Sequence, residues 1–328
     1  MLITPQKVPV TILTGFLGAG KTTLLNRILR ERHGERIAVI ENEFGEAGVD
    51  NDLLVVGERE QIVEMNNGCI CCTVRGDLVR ILGDLRKRRE VNHDSFDRVI
   101  IETTGLADPA PVAQTFFVED DVASYYLLDA IVTVVDAKHA ADQLDAFHEA
   151  QEQVGFADRV LLSKADLVSE QELARLSDRL AKINPRAPIK PASFGDVPIA
   201  ELLDIRGFSL DDILQIEPGF LGEDHHVHDD SVQSFVFSST KPFDQDRLQE
   251  FFRSAISRVG RDLMRYKGIV AFEGLDHRVI FQGIHMLMNS DVGSPWAPGE
   301  ARASKLVFIG RKLPEAEMIA DLTACLAQ

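Results

Sequence analysis

Gly15-Phe16-Leu17-Gly18-Ala19-Gly20-Lys21-Thr22 satisfies the pattern G-x-x-x-x-G-K-[ST] at every position. Glycines let successive backbone N–H groups curl round a phosphate, and a helix starting at the loop's end adds its positive dipole. The expected nucleotide contacts are Gly15, Gly18, Ala19, Gly20, Lys21, Thr22 and Thr23. Lys21 would reach the β- and γ-phosphates, and the Thr22 hydroxyl would bind Mg²⁺. Glu102-Thr103-Thr104-Gly105 suits the far side of the same site. Glu102 can hold Mg²⁺ through water, and Gly105 can present its N–H to a γ-phosphate. Leu106 follows where Ras-like proteins carry a water-positioning Gln, so slow intrinsic hydrolysis is expected.

Ser163-Lys164-Ala165-Asp166 fits the guanine-reading pattern [N/T/S]-K-x-D. An Asp carboxylate accepts from both N1–H and the exocyclic amine of guanine, a donor pair that adenine lacks, and Lys164 would lie along the base. Read blandly, the same four residues are an ordinary strand-to-helix turn. Cys69-Ile70-Cys71-Cys72 puts three thiols within four residues. Thiolates suit Zn²⁺ or Cu(I). A closed structural zinc site takes four protein ligands, and this motif offers at most three. The site is therefore open or completed by a carboxylate, which suits a metal that must be released; Glu41 and Glu46 in Glu41-Asn42-Glu43-Phe44-Gly45-Glu46 are the candidates. The competing reading is a buried turn of small apolar cysteines. Cys325, alone near the C-terminus, reads as core, and His225, His226 and His228 read equally as a weak metal tract or a solvated loop.

Strands and helices must bring these groups together. Val8 to Leu13 reads as a buried strand entering the glycine loop, and Thr23 to Arg30 as the helix leaving it, with Leu24, Leu25, Ile28 and Leu29 at helical spacing. Further short apolar strands are expected at Arg36–Ile40, Gln61–Met65, Arg98–Ile101, Ala130–Val135 and Arg159–Leu162, with helices at about Arg75–Arg88 and Glu170–Asn184. This alternation predicts an α/β fold with a mostly parallel sheet flanked by helices. Each polar cluster follows the C-terminal end of a strand, so the phosphate loop, Glu41–Glu46, Cys69–Cys72, Glu102–Gly105, Asp136 and Ser163–Asp166 should share one edge. Domain boundaries are placed at 1–222 and 232–328, with the polar, acidic and His-bearing stretch 223–231 as linker. Beyond it, strands at Val232–Ser238, Gly268–Phe272, Arg278–Gly283 and Lys305–Gly310 and helices at Asp244–Val259 and Pro314–Ala327 suggest a smaller α+β domain. Arg265-Tyr266-Lys267-Gly268 reads as a basic turn or an anion contact.

The chain has 328 residues, 45% of them hydrophobic, enough for two full cores. Its net charge of −17 argues against a broad nucleic-acid or anionic-membrane surface. No apolar run is long enough to span a bilayer, and the N-terminus runs straight into the first strand without room for a signal peptide, so a cytoplasmic protein is expected.

Taken in order, T-G-F-L-G-A-G-K-T-T, E-N-E-F-G-E, N-G-C-I-C-C, E-T-T-G-L-A-D-P and S-K-A-D resemble the CobW-type metallochaperone GTPases, the E-N-E-F-G-E form being closest to the YjiA-like subgroup. The later R-Y-K-G, F-Q-G and L-V-F-I-G are similar to that family's C-terminal domain, so the resemblance covers nearly the whole chain. It implies a P-loop GTPase of the SIMIBI class that binds GTP/GDP with Mg²⁺ and a transition metal, usually Zn²⁺, and delivers the metal to a client metalloprotein. It carries Lys21, Thr22 and Glu102 over as the phosphate and Mg²⁺ residues, Lys164 and Asp166 as the guanine readers, Cys69, Cys71 and Cys72 as metal ligands, and Glu41 and Glu46 as metal-site carboxylates. A homodimer is compatible with it. The rival readings are a signalling or assembly GTPase with purely structural cysteines, a small-molecule kinase or ATPase, and a zinc-storage protein.

Overall fold

A computed structural model of the chain describes residues 7–31, 34–43, 61–66, 73–91, 96–192, 197–205, 207, 231–297 and 299–327. Glu46, Cys69, Cys71, Cys72 and the histidines of the expected linker lie outside the described residues. Two units emerge, one of residues 1–177 and 187–206, the other of residues 178–186 and 207–328.

In the first unit, β1 (Val8–Gly15), β2 (Ile37–Glu43), β3 (Gln61–Asn66), β4 (Arg98–Glu102), β5 (Tyr126–Asp136), β6 (Arg159–Ser163) and β7 (Ile189–Pro191) form one sheet in the order β3-β2-β4-β1-β5-β6-β7. Every pairing in it is parallel. Parallel strands are covered on both faces, which explains why the centres of β4 and β6 read as unbroken Val/Ile/Leu runs rather than alternating ones, and why β1 is buried almost throughout. The helices are α1 (Lys21–Arg30), α2 (Thr73–Val91), α3 (Ala110–Val118), α4 (Asp120–Tyr125), α5 (Ala140–Ala146), α6 (His148–Phe156) and α7 (Glu170–Ile183), the last of which ends within the second unit. Leu24, Leu25, Ile28 and Leu29 of α1 pack with Leu13, Val39, Ile100, Val132 and Leu161 in one core. Leu78, Ile81, Leu82 and Leu85 are all buried, as the spacing on α2 requires.

Several elements depart from the sequence reading. β2 runs on through Glu41, Asn42 and Glu43 instead of ending at Ile40, because β3 pairs with it along all three residues and β4 pairs with it as far as Glu41, overriding the low strand preference of those polar residues. The three-residue β7 and the helices α3–α6 are too short or too irregular in pattern to announce themselves.

The second unit holds an antiparallel sheet in the order β11-β10-β9-β12-β8. Its strands are β8 (Val232–Ser239), β9 (Leu263–Val270), β10 (His277–Ile284), β11 (Leu287–Pro295) and β12 (Ser304–Arg311). The helices α8 (Gln245–Val259) and α9 (Glu315–Ala324) share one aromatic-rich core with it, including Phe237, Phe252, Tyr266, Phe281 and Phe308. Arg265-Tyr266-Lys267-Gly268 is not a turn: it lies inside β9, a strand buried along its whole length, where Tyr266 faces Gly283 in register and Lys267 donates to the Gly207 carbonyl. β11 escaped the sequence reading because Asn289, Ser290, Asp291 and Gly293 are weak strand formers. The two-residue turn at His285 and Met286, with φ of 51° at His285, folds it onto β10. Cys325 is buried in this core, as expected.

Candidate nucleotide site

The site lies where the order of connection reverses, at central β1 between β4 and β5, and at the strands' C-terminal ends. Register brings the sequence clusters together. Glu102 of β4 faces Leu13 of β1 on one side and Glu41 of β2 on the other; Asp136 of β5 faces Ser163 of β6.

The glycine loop follows β1 directly. Gly15 has φ of 143°, and a Cβ there would lie 2.2 Å from the Val134 carbonyl oxygen, so no other residue fits against β5. Gly20, at φ of 96°, turns the chain into α1. The first turn of α1 carries no acidic residue, which leaves its positive end to an anion, while Arg27 and Arg30 complement its other end. Lys21 is buried, and its Nζ donates to the Gly15 carbonyl at 2.8 Å and to the Phe16 carbonyl at 3.2 Å. Burial pulls the pKa of this ammonium below its ordinary value, against the raising effect of the Glu102 charge. A desolvated cation whose hydrogen bonds go to neutral carbonyls gains strongly from a phosphate.

The Thr22 hydroxyl donates to Glu102 Oε1 at 3.0 Å. A hydroxyl and a carboxylate beside a phosphate loop are the sparse, hard-oxygen donor set that Mg²⁺ uses together with substrate phosphates and waters. The residues after β4 are tied to β1: Thr103 N–H donates to the Leu13 carbonyl at 2.9 Å, and the Thr103 and Thr14 hydroxyls meet at 2.8 Å. Gly105 then touches the phosphate loop itself, since a Cβ on it would sit 2.6 Å from Leu17 N.

The guanine-reading candidate is joined to the same loop. Ser163 Oγ donates to the Ala19 carbonyl at 2.6 Å, so the serine ties the motif to the phosphate loop. Lys164 sits in the left-handed region at φ of 55°, a strained conformation for a non-glycine residue of the kind that collects at functional sites. Its Nζ donates to the Gly18 carbonyl at 3.0 Å and pairs with Asp136 Oδ2 at 2.6 Å. Asp166 follows in a short 3₁₀ turn, Ala165–Leu167, with its carboxylate exposed.

Asp136 is the residue whose part the sequence did not disclose. It is 2% exposed and accepts from Lys164, from the His139 ring at 2.9 Å and from the Lys138 and His139 N–H groups. Burial pushes its carboxyl up, but the bonds from Lys164 and His139 outweigh that and hold its pKa below the usual aspartate value. Its position at a strand end beside the motif was the available signal.

Of the expected transition-metal ligands, Glu41 alone is described: it is 8% exposed, in β2, and pairs in register with Glu102. Among the described residues no three His, Cys, Asp or Glu side chains converge as a metal cage.

Residues 9–191 match the family described as CobW/HypB/UreG, nucleotide-binding domain. The chain belongs to this family. Residues 232–326 match the C-terminal domain of the cobalamin synthesis protein CobW. The zinc chaperone YjiA of Escherichia coli is 43% identical over 315 residues, covering 95% of this chain and 96% of that one. The zinc chaperone CobW of Pseudomonas aeruginosa is 34% identical, over 99% of this chain and 93% of its own. The crystal structure of Zn(II)-bound YjiA GTPase from E. coli superposes with a TM-score of 0.80 at 37% identity, covering 98% of this chain and 100% of that one. The family's architecture, a parallel nucleotide-binding sheet followed by a CobW C-terminal domain, is therefore that of this chain.

Proposed function

We propose that this chain is a GTP-hydrolysing metallochaperone that carries zinc to a client metalloprotein under nucleotide control. The observation that supports this reading most is the register Leu13–Glu102–Glu41, which puts Glu102, read as the Mg²⁺-side carboxylate, and Glu41, read as the metal-side one, on adjacent strands, about 4.8 Å apart in strand spacing. Lys21 and the α1 N-terminus bind the phosphates, Thr22 and Glu102 hold Mg²⁺, and Lys164 and Asp166 hold the guanine. Mg²⁺ held by Thr22 and Glu102 would supply neutralisation of the charge on the β- and γ-phosphates. Gly105, which lies against Leu17, is the residue that offers its N–H to a γ-phosphate in this reading.

Zinc is the cargo. Glu41 lies in β2 and Glu46 comes after it in the sequence, Cys69, Cys71 and Cys72 come after β3, and β2 and β3 are paired neighbours. In this reading the nucleotide state governs how tightly these ligands would hold zinc. Nucleotide and zinc are then linked reciprocally, by about 1–3 kcal/mol. Among the described residues no helix is long and apolar enough to cross a membrane. With the acidic charge, that fits a cytoplasmic chaperone whose partner is another protein rather than nucleic acid or lipid.

The test is a zinc-chelator competition on the purified protein with a non-hydrolysable GTP analogue, with GDP and with neither. Zinc affinity is expected to differ about 5–150-fold between the two nucleotides. Tight zinc binding indifferent to nucleotide would remove the gating. Absence of a tight site would leave a signalling or assembly GTPase with structural cysteines.

A further inference from the structure

Gln153 in α6 is 1% exposed, and none of the roles above uses it. Its side-chain Nε2 donates to two carbonyls of the loop after β4, Gly105 and Ala107, each at 3.1 Å. Its Oε1 is buried without a hydrogen-bond partner among the described residues. Its backbone carbonyl accepts from Thr133 Oγ1 at 2.7 Å, which fixes this point of α6 to β5. Together with Phe16 of the phosphate loop and Thr133, Gln153 also lines a small internal cavity.

One amide thus grips the loop at both ends of a single turn, itself closed by Ala107 N–H donating to the Thr104 carbonyl at 3.1 Å. The opposite side of the turn presses on the phosphate loop, where Gly105 meets Leu17. Gly105 is therefore held between α6 and the phosphate loop. A buried glutamine that only filled space would not be expected to spend both N–H groups on this turn while leaving its own oxygen unmatched, since an unpaired buried acceptor carries a desolvation cost. That arrangement specifies a position of the turn at the expense of the side chain's own satisfaction.

We propose that Gln153 is a positioning residue that sets the Gly105 turn at the distance from which its N–H meets the γ-phosphate. This rests on the reading of Glu102–Gly105 as the γ-phosphate side of the site. GDP has no γ-phosphate, so the consequence falls on the triphosphate alone. A merely structural glutamine would, when replaced, weaken both nucleotides alike or lower the melting temperature only.

The experiment measures the affinity of the full chain for the β,γ-imido analogue of GTP and for GDP, with GTP turnover at saturation. Gln153→Met keeps length and removes both donors. Gln153→Glu keeps shape and turns a carboxylate toward two carbonyls, and it carries the test if the methionine variant does not fold. Both variants are expected to bind the GTP analogue about tenfold more weakly and turn over correspondingly slower, with GDP affinity within about twofold, the scale of one or two hydrogen bonds. Gly105→Ala serves as the control for the parent reading, because its Cβ would displace the turn from Leu17. If Gly105→Ala changes the ratio of the two affinities and the Gln153 variants do not, Gln153 has no positioning role. If neither changes it, the loop does not sense the γ-phosphate and both readings fall.

Discussion

The two ends of the parallel sheet hold buried cations in opposite ways. At the N-terminal end of β4, Arg98 is 1% exposed and meets three carboxylates: Glu35 at 2.9 Å, Asp129 at 3.0 Å and Asp204 at 3.0 Å. Burial lowers the pKa of its guanidinium, but the bond to Glu35 and the charge of Asp129 outweigh that and raise it. At the C-terminal end, Lys21 is also buried but donates to two backbone carbonyls, and Lys164 shares a single carboxylate with His139. The first arrangement is complete within the chain and has nothing to gain from a ligand. The second satisfies its cations only in part, and a phosphate offers them more than the carbonyls do. What separates structural from functional charge between Arg98 and Lys21 is the quality of the partners, since both are buried.

Breaking the complete end should cost folding and spare binding. Arg98→Met leaves the Asp129 carboxylate, 3% exposed, without its guanidinium. Removing one partner of a buried pair typically costs about 3–5 kcal/mol, which by calorimetry should lower the melting temperature by roughly 10 °C. GDP affinity of the folded fraction should stay near wild type; a large loss there would mean that this end reaches the nucleotide site. Breaking the incomplete end should do the reverse. Lys21→Ala is expected to weaken GDP and GTP about a hundredfold, close to 3 kcal/mol. Its melting temperature should be unchanged or raised, since a desolvated cation has been removed. Isothermal titration and a thermal scan on the same sample decide it, and a fall in stability as large as that of Arg98→Met would erase the contrast.

Much of this incomplete end could be read in the residues. Glycine, lysine and threonine at fixed spacing after a Val/Ile strand have few other uses, and each polar cluster follows a strand, so sheet topology alone predicts a shared edge. Among the described residues, the register Glu41–Glu102–Leu13 and the pair Asp136–Ser163 show it; Glu46 and Cys69–Cys72 lie outside them. The complete end could not be read. Glu35, Arg98, Asp129 and Asp204 are scattered over 170 positions as ordinary charged residues, and only the fold brings them into contact. The same holds for Gln153 and the Gly105 turn, 48 residues apart. β11 stayed hidden for a different reason: its pairing comes from the turn at His285, whereas its own side chains favour loop. Local pattern reveals chemistry that needs adjacent residues, and misses chemistry assembled by long-range contact.

Asp136 lies between the two kinds of site and supplies the smallest, most discriminating effect. One of its oxygens caps the turn into α5 by accepting from the Lys138 and His139 N–H groups; the other holds Lys164 and the His139 ring. Asp136→Asn keeps an acceptor for the cap and withdraws the charge from Lys164. If the pair orients Lys164 for the base, the KM for GTP should rise about tenfold, near 1.4 kcal/mol, with kcat at saturation little changed. His139→Ala removes the other contact of that oxygen and should move KM by less than about twofold, because it leaves the Lys164 bond in place. The pH dependence carries the same sign. The folded pKa of Asp136 is depressed, so its contribution to stability is present above the ordinary aspartate value near 3.9 and is lost as the pH falls through the lower folded value. An acid titration of the melting temperature should therefore fall less steeply below about pH 4 in Asp136→Asn than in wild type. An unchanged KM with that flattened acid limb would make Asp136 a helix cap alone, and the strained Lys164 backbone would then need another explanation.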